Sequence, residues 1–304
     1  MSAANAPETA GRDRNPQQDR LHQLARMAAD PVRHMTRLRS VQLNPVLPRP
    51  RDESHRIEPS LRIPMSDGTE VEVDVAERAL RDVWPIPATE DREGYFGDNH
   101  VGYWLSGLID FEKVRHAWEQ RKGSGPTHLL DLGCASGRIV RHAFACDDDW
   151  KVTGCDIDQR NIDWGKRHLA RGMHVFQNTV FPHLPLPDAS VDVITAFSVF
   201  THIDKLEDAW LMELRRVLKK GGMAYITAHT ERVWRRVNDS PFRIDGMLRC
   251  RSEWSQPEGL PIHREMFATA MPHDYIVMRW DEAGAYVAQT FHSTRHIEQE
   301  WGRI

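Results

Sequence analysis

The segment HLLDLGCASG, residues 128–137, decides the fold predicted for this chain of 304 residues. Its first six residues are mostly apolar and predict a buried β-strand, and the overlapping segment GRIVRHAFA (137–145) predicts a helix. Glycine at positions 133 and 137 allows the intervening backbone to turn tightly and to approach a ligand closely. The segment therefore predicts a strand, a glycine loop and a helix, with the loop as a candidate ligand-binding element.

Further strands and helices alternate on the carboxyl-terminal side of this unit. The predicted strands cover residues 128–133, 151–157, 174–178, 191–200 and 223–229, and the predicted helices cover residues 137–145, 158–172 and 205–222. Alternation at this spacing is typical of a parallel sheet with helices on both faces. We therefore expect an α/β fold with a Rossmann-like, mostly parallel sheet. Ligands of such a sheet bind at the carboxyl ends of its strands, near the switch point.

The composition of the chain suggests four regions. Residues 1–60 are expected to be largely disordered or extended, because they are rich in proline and charge. Residues 61–124 are expected to form an N-terminal cap with a lead-in helix over 102–120. Residues 125–230 are the predicted Rossmann-like core, and residues 231–304 are the predicted C-terminal segment on the substrate side.

Charge, hydropathy and cysteine usage argue against several classes of protein. A formal net charge of −4 leaves no basic footprint, so no nucleic-acid partner is expected. No run of about 18 apolar residues is present, so no membrane-spanning helix is expected. The four cysteines form no CxxC pair and no group with zinc-ligand spacing, which predicts no metal site and a cytoplasmic location with free thiols.

The acid at the end of the second strand helps to separate two classes of cofactor. A nicotinamide-type GxGxxG loop needs glycine at two positions that are Ala135 and Arg138 in this chain. Asp156 follows Gly133 by 23 residues, and its carboxylate can accept both hydroxyl hydrogens of a ribose. Capping of the next helix, the alternative role of Asp156, is better filled by Asp158. We therefore interpret Asp156 as a ribose ligand.

These residues resemble the class I methyltransferases that depend on S-adenosylmethionine (SAM). In that family a (D/E)xGxGxG loop holds the methionine part of the cofactor, and the acid of the second strand holds the ribose. Ala135 stands in place of the middle glycine, and Asn178 stands where the family often has an acid near the adenine. The resemblance implies SAM as the cofactor and the following cofactor-binding residues: Asp131, Gly133, Cys134, Ala135, Gly137, Asp156, Ile157, Asn178 and Phe197.

The chain is most similar to a bacterial subgroup that has a YWxSGxxD-type lead-in helix, here Tyr103 to Asp110, and an SVFTH segment, here Ser198 to His202. The resemblance implies a methyltransferase that acts on an O or N atom of a small-molecule or sugar-containing acceptor. His202 and His229 follow the fourth and fifth strands and are the candidate general bases. Each of them could instead cap a helix or bond loop backbone.

Two other functions stay open on the sequence alone. An NAD-dependent oxidoreductase is disfavoured by Ala135 and Arg138 and by the lack of an obvious second catalytic domain. A catalytically inactive binding protein with the same fold is the other alternative, because Ala135 and Asn178 both depart from the family's pattern.

The carboxyl-terminal sequence predicts a hairpin, with two strands within 273–291 about a turn at 281–284. From the pattern alone this hairpin could supply the last two strands of a seven-stranded sheet. In the subgroup, however, a segment like Phe291 to Ser293, with Ile297 and Trp301, comes before those strands. We therefore expect a shortened sheet whose edge is covered by the chain's own segments or by a second copy in a homodimer.

Overall fold

The computed structural model describes residues 60–122, 125–146, 149–169, 173–239, 244–245, 247–252, 260–280 and 288–304. The extension predicted over residues 1–60 lies outside these ranges except for Ser60, and so does the turn predicted at 281–284. No helix in the described ranges is both long and apolar enough to cross a membrane.

A hairpin and two helices form the N-terminal cap. Its elements are β1 (Ser60–Pro64), β2 (Glu70–Asp74), α1 (Val75–Arg81) and α2 (His100–Lys122). The two strands are antiparallel. Asp74 caps α1 by accepting a hydrogen bond from the Glu77 N–H. The predicted lead-in helix is confirmed as α2, which buries Trp104, Leu108 and Phe111 completely.

The core is a five-stranded parallel sheet, in the order β5-β4-β3-β6-β7. Its strands are β3 (Thr127–Leu132), β4 (Trp150–Asp156), β5 (His174–Gln177), β6 (Val191–Ala196) and β7 (Leu218–Ile226), and the helices between them are α3 (Val140–Cys146), α4 (Gln159–His168) and α5 (Glu207–Val217). The chain order reverses between β3 and β6, so a crevice opens where their carboxyl ends part. The predicted Rossmann-like sheet is confirmed.

The boundary between α5 and β7 differs from the prediction. A helix over 205–222 with a glycine cap was expected, but α5 ends at Val217 and the strand begins at Leu218. Leu218 pairs with Val191, and the register then jumps so that Val193 pairs with Met223. Gly222 permits this jump, because a Cβ there would lie 2.9 Å from the Asp192 carbonyl oxygen.

A second, smaller sheet follows the core, with strands in the order β11-β10-β8-β9. The elements of this region are α6 (Glu231–Arg235), β8 (Cys250–Ser252), β9 (Leu260–Pro261), β10 (Tyr275–Trp280), β11 (Ala288–His292) and α7 (Thr294–Gln299). The predicted hairpin is confirmed as β10 and β11, which pair antiparallel. Because it belongs to this second sheet, the described core sheet has five strands, and the expectation of a shortened sheet is confirmed.

One buried carboxylate joins this second sheet to the core. Glu207, at the start of α5, lies with Oε2 2.5 Å from His292 Nε2 and with Oε1 3.0 Å from His296 Nε2. The Trp301 indole N–H also donates to Oε1 at 2.7 Å. Burial alone would raise the pKa of Glu207, but these hydrogen bonds, with that from His292 foremost, hold it below its usual value. Glu207 therefore fastens β11 and α7 to the carboxyl end of the core sheet.

We expect Glu207→Gln to lower the free energy of unfolding by about 3 kcal/mol at pH 7, because buried donors lose their charged acceptor. The folded-state pKa of Glu207 is lowered, so its contribution is present above the ordinary carboxyl pKa and disappears as the pH falls through the folded-state value. The variant should therefore lose less stability than the wild type on acidification. Urea unfolding at pH 7 and pH 4 measures both effects.

The matched control is Glu298→Gln, which changes an exposed glutamate on α7. This variant should unfold at the wild-type urea concentration. Equal stability of Glu207→Gln and the wild type at pH 7 would contradict the role given to Glu207.

Candidate cofactor and acceptor site

A cavity of about 730 Å³ lies at the carboxyl ends of β3, β4, β6 and β7. This is where the reversal of strand order opens the sheet, and its volume is in the range of small-molecule sites. Ten of the predicted site residues line it: Asp131, Gly133, Cys134, Ala135, Asp156, Ile157, Asn178, Phe197, His202 and His229. Phe197 also stacks on Tyr225 with ring centroids 5.5 Å apart.

The glycine loop between β3 and α3 forms one wall of the cavity. The N–H groups of Gly133 and Cys134 both donate to the Cys155 carbonyl, at 2.8 and 2.9 Å. Gly133 has φ +73°, and a Cβ there would lie 2.5 Å from Val199. Gly137 has φ +85° and faces Leu169, so it shapes the turn without lining the cavity. The close backbone approach predicted for the loop therefore depends on Gly133.

Asp156, the last residue of β4, is held rigidly at the same wall. Its Oδ2 accepts from the Ala135 N–H at 2.9 Å and its Oδ1 accepts from the Asp158 N–H at 2.8 Å. Burial raises the pKa of Asp156, and the hydrogen bonds from Asp158 and Ala135 offset part of that rise. Asp158 caps α4 through its own side chain, as expected. The Asp156 carboxylate is thus an oriented acceptor in the cavity wall.

Asn178 lines the cavity and has a buried acceptor atom without a partner. Its Nδ2 donates to the Thr179 carbonyl at 3.2 Å, whereas its Oδ1 is buried without a hydrogen-bond partner. A buried oxygen in this state is costly unless a ligand supplies a donor. The backbone N–H of Asn178 donates to the Asp156 carbonyl at 3.0 Å, so the two side chains leave adjacent strand ends. The exocyclic amine of adenine is a donor that suits this oxygen.

Asp131 lies in the floor of the cavity, and its side chain accepts a hydrogen bond from Thr195 Oγ1 at 2.7 Å. Burial raises the pKa of Asp131 to about 7, although the Thr195 hydrogen bond and the nearby Arg138 oppose this rise. Arg138 itself is paired with Asp110 at 2.7 Å. The floor of the cavity therefore holds a carboxyl group that ionises near neutral pH.

The two candidate bases lie on the side of the cavity that the second sheet covers. His202 Nδ1 donates to the Ala288 carbonyl of β11 at 2.8 Å. The ring of His229 lies against Phe291, with centroids 5.3 Å apart. His202 thus both lines the cavity and bonds backbone, so the two roles considered for it coexist.

Several lining residues come from outside the predicted core. Glu93, Tyr95 and Tyr103 come from the cap, Arg232 comes from α6, and Arg236 follows the end of α6. The two arginines are exposed and also border the cavity. Glu93 and Tyr95 belong to no motif that could have identified them as cavity residues, whereas Tyr103 begins the YWxSGxxD segment of the lead-in helix.

Within the described ranges, one group of side chains has donor atoms close enough to hold a metal ion. It consists of Glu207, His292 and His296, with these atoms within 4.8 Å of one another. The same atoms already make the direct hydrogen bonds that fasten α7 to the core. We therefore describe the group as a hydrogen-bonded cluster.

We expect Asp131→Asn to raise the free energy of unfolding by about 2 kcal/mol at pH 8, because it removes a buried charge while keeping an acceptor for Thr195. The folded-state pKa of about 7 lies above the ordinary carboxyl value, so the wild type loses stability as the pH rises between the two. The difference between variant and wild type should therefore shrink towards pH 5. Urea unfolding at both pH values tests this, and a difference that does not change with pH would contradict it.

Three curated relatives share part of the sequence. A 27-O-demethylrifamycin SV methyltransferase of Amycolatopsis mediterranei is 31% identical over 140 residues, which are 42% of this chain and 50% of the relative. A 2-methyl-6-phytyl-1,4-hydroquinone methyltransferase of Synechocystis is 28% identical over 56% of this chain and 57% of the relative. A tRNA N(3)-methylcytidine methyltransferase of Schizosaccharomyces pombe is 28% identical over 32% of this chain and 42% of the relative. The chain thus spans about half the length of the curated relatives it matches.

Residues 130–226 match the model of a family described as a methyltransferase domain. This range runs from β3 to the end of β7 and includes the glycine loop, Asp156 and Asn178. The methyltransferase domain inferred from the sequence is thereby confirmed over this range. With a five-stranded parallel sheet, a glycine loop and an oriented acid at the second strand, residues 130–226 form a methyltransferase domain.

Proposed function

We propose that the protein transfers a methyl group from SAM to an O or N atom of a small-molecule or sugar-containing acceptor. The observation that supports this proposal is that Asp156 and Asn178 lie at adjacent strand ends and line one cavity. The Oδ1 atom of Asn178 has no hydrogen-bond partner. A ribose diol and an adenine amine are the donors that match this pair of acceptors. The buried acid Asp131 in the same cavity suits a cationic ligand.

The proposed placement of SAM follows from these acceptors. The loop at Gly133, Cys134 and Ala135 would hold the methionine part. Asp156 would hold the ribose, and Asn178 would accept from the adenine amine. The apolar partners of the cofactor would be Ile157 and Phe197, which line the same cavity.

Bound SAM supplies a sulfonium methyl group that is already activated for in-line displacement. The main task of the protein is then to align donor and acceptor, a contribution that can reach roughly 7–11 kcal/mol. A base is needed only for an acceptor that must lose a proton. Because His202 Nδ1 donates to Ala288, its lone pair is on Nε2, which is where a proton from the acceptor would go. His229 is the second candidate for this role.

The names of the relatives limit the chemical class of the acceptor only in part. Two are named for a rifamycin derivative and a phytyl hydroquinone, and the third is named for a tRNA nucleotide. We favour a small acceptor because the cavity is bordered by both the cap and α6. Identification of small molecules that co-purify with the protein, by mass spectrometry, tests this preference, and methylation of tRNA alone would contradict it.

We expect Asp156→Ala to weaken SAM binding about a hundredfold, because the loss of two hydrogen bonds to a charged acceptor costs on the order of 3 kcal/mol. The change also removes the acceptor of the Ala135 and Asp158 N–H groups, so Asp156→Asn is the variant more certain to keep the fold. Isothermal titration calorimetry with SAM measures the affinity. Asp163→Asn, an exposed acid on α4, is the control and should bind as the wild type does. Unchanged affinity in folded Asp156 variants would refute the placement.

We expect His202→Ala to lower kcat by about a hundredfold or more with an acceptor that must lose a proton. The dependence of kcat on pH that a general base produces should disappear, whereas SAM binding should persist. Turnover against pH is to be measured for the wild type, His202→Ala and His229→Ala. His183→Ala is the control, since His183 is exposed and does not line the cavity. If His202→Ala keeps full activity, His202 is not the base, and alignment of donor and acceptor becomes the better account of catalysis.

A further inference from the structure

A tight loop of the cap brings a carboxylate to the edge of the core sheet. Glu93 directly follows the 3₁₀ turn Glu90–Arg92 and has φ +56°. The loop is fastened by the buried guanidinium of Arg92, whose Nη1 donates to the Pro87 carbonyl at 2.9 Å and whose Nη2 donates to the Gly97 carbonyl. A left-handed backbone at a glutamate is unfavourable, so it persists because its surroundings hold it. Glu93 is therefore fixed in the cavity wall.

Glu93 meets the strand-end acid through a single amide. Asn161 Nδ2, on α4, lies 3.3 Å from Glu93 Oε1 and 3.4 Å from Asp156 Oδ1. The two carboxylate oxygens are thus less than about 7 Å apart, a gap that two neighbouring hydroxyl groups can bridge with hydrogen bonds of about 2.7 Å. Asn161 is itself buried. Asp156 also accepts from the Ala135 and Asp158 N–H groups, so the Asn161 amide is the weak donor that the two carboxylates have in common.

A second feature beside these acids also points to a ligand. Asn178, beside Asp156, is 6% exposed, and its Oδ1 has no hydrogen-bond partner. It lines the same cavity as Glu93 and Asp156. The acids therefore stand near a buried acceptor for which the described residues supply no donor.

We propose that Glu93 is a second acceptor for the ribose hydroxyls, so that the cap and the core each supply one carboxylate to the diol. This inference rests on the proposed function, because it takes the nucleoside of SAM as the ligand. In the free protein the two carboxylates repel each other across one amide. A vicinal diol placed between them would give each carboxylate a hydroxyl donor of its own.

The charges around Glu93 give this role a pH dependence. Burial, followed by the neighbouring Asp156 and Asp158, raises the pKa of Glu93 to about 7, while Asn161 and Arg160 oppose the rise. The ribose hydroxyls favour the carboxylate form, so binding requires the loss of a proton below this pH. Affinity for the nucleoside should therefore rise with pH up to about 7 and then level off.

The decisive experiment compares ligands that lack one hydroxyl. S-adenosylhomocysteine and its 2′-deoxy and 3′-deoxy analogues are titrated calorimetrically into the wild type, Glu93→Ala and Glu90→Ala. Glu90 is an exposed glutamate of the same turn and serves as the matched control. In the wild type and the control, we expect removal of the hydroxyl that Glu93 holds to weaken binding about tenfold. In Glu93→Ala the parent ligand should already bind about tenfold more weakly, and loss of that hydroxyl should have little further effect.

A second readout uses pH and a variant that keeps the shape of the side chain. The affinity of the wild type for S-adenosylhomocysteine should rise about fivefold to tenfold between pH 6 and pH 8, and that of Glu93→Gln should change much less. Asp131 also ionises in this range, so Asp131→Asn is measured in parallel and should keep the part of the dependence that belongs to Glu93. Thermal unfolding without ligand verifies that each variant is folded.

The outcomes separate the two proposals. Failure of the wild type to bind S-adenosylhomocysteine would overturn the proposed function and this inference together. Tight binding with the same penalty for each missing hydroxyl in the wild type and in folded Glu93→Ala would overturn the role of Glu93 alone.

Discussion

The hydrogen bond from the Ala135 N–H to Asp156 Oδ2 is the contact on which the rest of the site depends. It joins the glycine loop after β3 to the tip of β4 and so fixes the loop and the carboxylate together. Ala135 has φ +47°, a left-handed conformation that costs an alanine roughly 1 kcal/mol. The bond to Asp156 helps to hold that conformation, so the alanine in place of the family's middle glycine is compatible with the loop shape. From Asp156 the same network continues through Asn161 to Glu93.

The regions outside the core act on opposite ends of the cavity. The cap brings Glu93 to the end where Asp156 lies. The second sheet, fastened through Glu207, brings the Ala288 carbonyl to His202 and so fixes the ring of the candidate base. A hairpin that had continued the core sheet would sit beside β7 instead. The shortened sheet thus leaves the hairpin available to cover the acceptor end.

The sequence predicted those features whose cause is local. Apolar runs and the helices between them located the five strands to within a few residues, and the position of Asp156 at a strand end identified it as an acceptor. The end of α5 was predicted wrongly because pairing of β6 with β7 draws Leu218 into the sheet. Glu93 was missed because its partner Asn161 lies 68 residues further along the chain, and the loop that carries it has no periodicity. Contacts between residues so far apart in the sequence depend on how the cap packs against the core. The local sequence pattern does not specify that packing.

Acidity around the glycine loop favours SAM over a dinucleotide on physical grounds. Burial raises the pKa of Asp131, Asp156 and Glu93, so in the free protein their charged forms are unfavourable. The nearby Arg138 is already paired with Asp110. A pyrophosphate placed on this loop would add negative charge to buried carboxyls, whereas a sulfonium and an ammonium group would relieve them. Keeping these acids together lowers the stability of the free protein, and binding of a cation restores that stability. A site can in this way favour its cofactor at the expense of the fold.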